Sequence, residues 1–142
     1  MRTVLYISTI FSFFLLGCER KIVEQAFSES GVVLKKIQPD ALYFESLELR
    51  KSYPQGGKID VNSLEIEKYP NLIQLNPDVV FLVDNVLNLI FVTKMSGFAM
   101  IYVSEEEGIN STITDLHEEK GDILLSKIKL SDNVCAVTIK HL

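Results

Sequence analysis

Two cysteines and two histidines are the whole supply of thiols and imidazoles in this chain of 142 residues. That scarcity limits the chemistry on offer. His117 is followed by Glu118 and Glu119, but a metal-protease helix needs His-Glu-x-x-His, and Gly121 stands where the second histidine belongs. His141 shares no ligand spacing with His117, so surface histidines are the expectation and no metal site is. The strained serine turn of hydrolases, Gly-x-Ser-x-Gly, is also missing, and Met95-Ser96-Gly97 reads as a simple turn. Carboxylates are plentiful, but no cleft visible in the sequence selects a pair for acid–base work. No cofactor motif is present, and the expectation is a protein that is not an enzyme.

Basic residues are the next shortage. Lys and Arg number 14 against 19 Asp and Glu, giving a formal net charge of -5. Nucleic-acid binding runs on cations that neutralise phosphates, and anionic lipid attracts the same groups, so neither is expected of the body of the protein. The chain is 47% hydrophobic and 23% charged, which is ordinary for one globular domain and too apolar for a disordered one.

The apolar residues are unevenly placed. Arg2 is the single charge in residues 1–17, and Thr3 to Leu16 form an uncharged, mostly apolar run of 14 residues. A membrane-spanning helix needs roughly 20, so the run fits a secretory signal. It closes on Leu15-Leu16-Gly17-Cys18. That order resembles the lipobox of bacterial lipoproteins: a branched apolar residue, a tolerated apolar residue, a small residue, then cysteine. The resemblance covers about the first 20 residues and is silent on the fold that follows. It implies that the Cys18 thiol receives a diacylglyceryl group, that residues 1–17 are removed as a signal peptide, and that acyl chains such as palmitate hold the protein on a membrane. More than one chain on one cysteine makes a firm anchor. Glu19 follows the cysteine rather than Asp, which by the same resemblance points to the periplasmic face of the outer membrane in a diderm cell. An acylated Cys18 leaves Cys135 without an intramolecular disulfide partner. Cys135 lies in the alternation Val134-Cys135-Ala136-Val137 and is expected to be a buried, inert thiol, with His141 on the same strand rather than poised as its base.

Residues 18–30 are polar with scattered apolar positions and read as a lipidated tether, with room for a short helix at Ile22–Phe27; extended, such a tether reaches up to ~40 Å. Residues 31–142 read as a single β-rich globular domain. Val32–Ile37, Leu42–Leu49, Ile59–Val61 and Leu64–Ile66 favour strands, broken at Pro39-Asp40, at Tyr53-Pro54-Gln55-Gly56-Gly57, at Tyr69-Pro70 and at Asn76-Pro77. Val79–Val83 and Val86–Thr93 read either as two strands across Asp84-Asn85 or as one buried helix from Pro77 to Met95; the β-branched content favours strands. Phe98–Ser104 is a further strand, Ser111–Leu116 a short one, and Ile123–Leu130 with Val134–Ile139 a closing hairpin over Ser131-Asp132-Asn133. Short strands at this spacing predict a small antiparallel sandwich or barrel.

One charge cluster stands out. Glu105, Glu106, Glu107, Asp115, Glu118, Glu119 and Asp122 face Lys120 alone within residues 105–122. The spacing lacks the Asp-x-Asp-x-Asp-Gly order of a calcium loop. It reads as a solvated loop set that keeps the domain soluble, or as an acidic patch that steers a basic protein partner. Lys35, Lys36, Arg50, Lys51 and Lys58 supply bases earlier in the chain, so the two ends of the domain are expected to differ in sign. Three functions fit: an immunity protein or inhibitor that binds a toxin or hydrolase acting in the periplasm; a pilotin-like lipoprotein that escorts a secretion or pilus component; and a small lipid- or ligand-binding barrel, which needs a cavity of a few hundred Å3.

Overall fold

Turn chemistry and apolar periodicity build a helical layer first and a sheet second. The computed structural model of the chain describes residues 19–93, 97–105 and 123–140. A helix (α1) runs through residues 19–29. Val23 and Phe27, one helical turn apart, are wholly buried on its inner face. The helix ends in a glycine C-cap. Val32 N–H donates to the Phe27 carbonyl at 2.9 Å and Gly31 N–H to the Ser28 carbonyl at 3.0 Å, with Gly31 at φ +80°. Only a residue without Cβ adopts that φ cheaply.

After a 3-10 turn at Leu34–Lys36, helix α2 spans Pro39–Ser52. Pro39 starts it because the first helical N–H has no partner to lose, and Arg50 and Lys51 sit in the last turn, where the helix dipole favours cations. Its inner face is Leu42, Glu45, Ser46 and Leu49, spaced as one helical stripe. A second proline opens the short helix α3, Pro70–Leu75. The Glu45 carboxylate is 7% exposed and caps this helix from across the layer: it accepts Asn71 N–H at 2.8 Å, Asn71 Nδ2 at 2.7 Å and Leu72 N–H at 2.8 Å. A buried carboxylate is tolerated where such donors replace its water.

Six strands follow or interleave: β1 Gly57–Ile59, β2 Val79–Val83, β3 Val86–Val92, β4 Phe98–Ser104, β5 Ile123–Lys129 and β6 Val134–Lys140. They form one sheet in the order β1-β2-β3-β4-β6-β5, with every neighbouring pair antiparallel. The β2–β3 hairpin turns on Asp84 and Asn85 at φ 49° and 64°, a two-residue turn with both central residues left-handed, which matches the twist of the strands. Asp78 extends the pairing: its N–H donates to the Ile90 carbonyl, and its carboxylate accepts Val92 N–H at 2.8 Å. At β1 the chain passes close to the sheet. A Cβ on Gly56 would sit 2.5 Å from the Leu82 carbonyl oxygen, and its φ is +68°, so glycine is required twice over.

The helices cover one face of the sheet. Val80, Leu82, Leu87, Leu89, Phe91, Ala99, Ile101, Val103, Val134 and Ala136 from the strands pack with Val23, Phe27, Leu42, Leu49 and Leu72 in a single core. The Phe27 and Phe91 rings meet edge to face, with centroids 5.5 Å apart. Burying a side chain of this size contributes about 1.5–3 kcal/mol, and α1 brings two.

The antiparallel, β-rich expectation is what the structure shows. The sheet is open rather than a closed barrel, and its second layer is helical, not another sheet. Val79–Val92 forms two strands, so the single-helix alternative falls. Leu42–Leu49, expected as a strand, is helix α2, because Pro39 begins a helix instead of ending an element. The strand at 59–61 stops at Ile59, where Asp60 caps a 3-10 turn by accepting Asn62 N–H at 3.0 Å, and 64–66 is not a strand. Within the segment read as a lipidated tether, the short helix allowed at Ile22–Phe27 is present and longer: residues 19–29 are helical, with Val23 and Phe27 buried in the core. The expected strand at Ser111–Leu116 lies outside the described residues.

Candidate partner-binding face

Alternation along a strand sends every second side chain to the side away from the helices. In a sheet with one solvated face these positions are usually polar. Here they are mostly apolar. Registered pairing lines up Val83 and Val86; Phe81, Asn88, Tyr102 and Cys135; Val79, Ile90, Met100 and Val137; and Val92, Phe98 and Ile139. Lys58 and Lys129 stand at the two ends of the row that contains Asn88.

This outer face changes character across the sheet. Over β4 and β6, Tyr102, Cys135, Val137 and Ile139 form a second buried cluster, each at 4% exposure or less. Over β2 and β3, Phe81, Val86 and Ile90 are only half-buried, and Val83 and Val92 are 51% and 54% exposed. Asn88 interrupts the apolar surface but spends its amide locally, donating from Nδ2 to the Val86 carbonyl at 2.9 Å and to the Phe81 carbonyl at 3.3 Å. The result is an apolar platform on a hydrogen-bonded sheet, the kind of surface that associates with another apolar surface.

The residues singled out in the sequence fall as follows. Cys18, His117 and His141 lie outside the described residues, as do Glu106, Glu107, Asp115, Glu118, Glu119 and Asp122 of the acidic cluster. Its remaining member, Glu105, is half exposed and bound to a cation: its Oε1 lies 2.9 Å from Nη1 of Arg50. The Arg50 guanidinium is 11% exposed, and its Nη2 donates to the Val103 carbonyl at 3.2 Å. Its Nε and Nη1 make no aligned hydrogen bond; the contact with Glu105 is an ion pair by distance alone. Beside this pair an open depression of about 510 Å3 is lined by Phe44, Leu47, Glu48 and Lys51, and Phe44 is 64% exposed.

Cys135 is fully buried, and burial pushes its thiol up to about 11, with Lys127 pulling weakly the other way. A thiol so placed is no nucleophile at neutral pH. Among the described residues, no three His, Cys, Asp or Glu side chains are grouped to hold a metal ion. A cavity of about 240 Å3 lies between the 31–38 connection, α2 and α3, bordered by Val33, Lys36, Gln38, Asn71 and Gln74. That is smaller than the roughly 300 Å3 at which small-molecule sites begin. A third hollow, about 440 Å3 and open, is bordered by Lys58, Asp60, Asn62, Asn76 and Asp78. Among the described residues no helix is long and apolar enough to cross a membrane.

The outer platform gave a faint signal in advance. Val79–Val83 and Val86–Val92 are apolar at successive positions rather than at alternate ones, which means both faces of the strands are apolar. No protein-family model, curated protein or solved structure matches this chain.

Proposed function

We propose that this chain is a lipid-anchored protein of the bacterial cell envelope, attached through acylated Cys18, that works by holding a protein partner on the outer face of β2 and β3. In a diderm cell it faces the periplasm from the outer membrane. The observation that carries the binding half is the apolar platform of Phe81, Val83, Val86, Ile90 and Val92, with Val83 and Val92 more than half exposed. The anchoring half rests on Leu15-Leu16-Gly17-Cys18 behind its apolar run. The leading version is an immunity protein or inhibitor: a stable single domain on an outward-facing anchor, using surface complementarity and no chemistry of its own. The partner then brings apolar anchors to the platform, as interface centres do.

A pilotin-like assembly role is the second reading, and the same platform favours it, because an amphipathic peptide could lay its apolar side there. Strand addition at β1 is a poorer mode. That edge is three residues long, opens on Gly57 just after Gly56, both at positive φ, and carries Lys58, all of which blunt pairing.

Affinity purification of a tagged, membrane-anchored form from its native cell, with mass spectrometry, tests both halves together. The expected result is an acylated N-terminal Cys18 and one abundant co-purifying protein. A toxin or hydrolase among the partners supports the inhibitor, and a secretion or pilus subunit the escort. An unmodified Cys18, or an acylated protein recovered alone, contradicts the respective half.

A further inference from the structure

The segment between anchor and domain, read from the sequence as a tether with room for a short helix, is helical over residues 19–29. We propose that the folded domain lies directly against the bilayer, with the first described turn of α1 at the lipid headgroups. This rests on the acylation of Cys18 proposed above.

Three observations remove the slack. Glu19, joined to Cys18 by one peptide bond, is already helical. Val23 and Phe27 are wholly buried, and Phe27 meets Phe91 at 5.5 Å. The far end of the helix is fixed by its glycine cap and by Ser30, whose hydroxyl donates to the Val92 carbonyl at 3.1 Å. From Val23 back to Glu19 the helix advances about 6 Å, and the bond to Cys18 adds about 4 Å. The anchor therefore sits about 10 Å from the core, where an extended linker of the same segment would allow ~40 Å. Unwinding residues 19–22 alone would lengthen it by only about 7 Å; going further means exposing Val23 and Phe27 to water.

The side chains of this turn suit the position. Ile22, in the first described turn of α1, is 49% exposed. Arg20 and Lys21 beside it are exposed. An apolar side chain flanked by long cationic ones is the pattern of an interfacial segment. Arg20 also pairs with Glu24 at 2.9 Å, so charge contributes little and the short connection dominates. A partner must then be met in the thin layer next to the membrane, not at the end of a line.

The test uses the full, acylated chain in vesicles of phosphatidylcholine and phosphatidylglycerol, some lipids bearing a headgroup nitroxide quencher. A fluorophore is placed on Ile22→Cys and, separately, on Gln25→Cys. Cys135 stays unlabelled because it is buried. The comparator carries twelve Gly/Ser residues inserted between Cys18 and Glu19, a coil of about 20 Å root-mean-square length. The expected result is quenching several-fold stronger in the natural chain than in the inserted one at both sites. Equal quenching on a chain whose Cys18 carries lipid overturns the apposition and leaves the lipoprotein reading standing. A chain that mass spectrometry shows to be without lipid overturns both.

Discussion

The two faces of the sheet are built from the same residue types and end in different states. On the inner face, Val80, Leu87, Leu89 and Ile101 are wholly buried beneath α1, α2 and α3. On the outer face, Phe81, Val86 and Ile90 occur on the same strands, yet they are only partly buried, and Val83 and Val92 beside them are more than half exposed. The inner face is explained by folding alone, since each side chain has a helix to pack on. The outer face is explained only in part: Val86 and Met100 pack on the second buried cluster, while the apolar surface that stays exposed costs solubility. The difference teaches that composition along a strand does not separate core from surface; the proposed partner site rests on apolar side chains left exposed among the described residues.

The sharpest way to break the comparison is to truncate neighbours on one strand. Leu89→Ala removes a buried side chain from the inner face and is expected to cost about 2–5 kcal/mol. Ile90→Ala, one residue on and pointing outward, is expected to cost about 1 kcal/mol. Urea unfolding of both variants measures the gap. Equal losses mean that the outer face is as much core as the inner one.

Within the helical layer, Glu45→Ala is expected to cost about 2 kcal/mol, because Asn71 and Leu72 N–H groups lose their shared acceptor at the start of α3. The thermal midpoint falls accordingly, and a change within the error of the wild type would dismiss the cap.

Cys135 probes the buried end of the outer face. Its thiol is raised from about 9 to about 11 by burial. Above pH 9 the unfolded chain gives up this proton while the folded one retains it. Stability from this group is therefore complete below pH 9 and is lost as pH rises towards 11. The decline in urea midpoint between pH 8 and 10.5 should be smaller in Cys135→Ala than in the wild type. Identical declines would mean that the thiol is open to solvent.

The smallest stability effect belongs to Val83→Thr combined with Val92→Thr, which keeps shape and adds two hydroxyls in water. The expected change is within about 0.5 kcal/mol. Recovery of the partner by affinity purification should nonetheless drop sharply. Unchanged recovery would move the binding surface elsewhere, the depression beside Phe44 and Arg50 being the next place to look.

The strands at 79–92, 98–104 and 123–140 were legible in the sequence, because β-branched runs and the turns at Asp84-Asn85 and Ser131-Asp132-Asn133 favoured strands over the single helix that was the alternative for 77–95. Of the helices only the first was hinted at, as a short helix at Ile22–Phe27; α2 and α3 were hidden for physical reasons. On α2 the inward stripe includes Glu45 and Ser46, while Phe44 points to solvent at 64% exposure, so hydropathy runs against the helical period. Glu45 faces inward because it caps α3, a partner that no local pattern reveals. Pro39 and Pro70 looked like breaks and are helix starts. In α1 only Val23 and Phe27 are wholly buried, too few apolar positions to distinguish a docked helix from a polar tether. The platform itself needed the register, since only pairing shows that Val83, Ile90 and Val92 share a face.

The most direct test places a photo-crosslinking residue at Val92 on the outer face and, in a separate strain, at Ile66, which is 67% exposed and off the sheet. Both are irradiated in the native cell. The account predicts a discrete adduct with one envelope protein from position 92 and none from position 66. No adduct from position 92, or the same adducts from both positions, contradicts it.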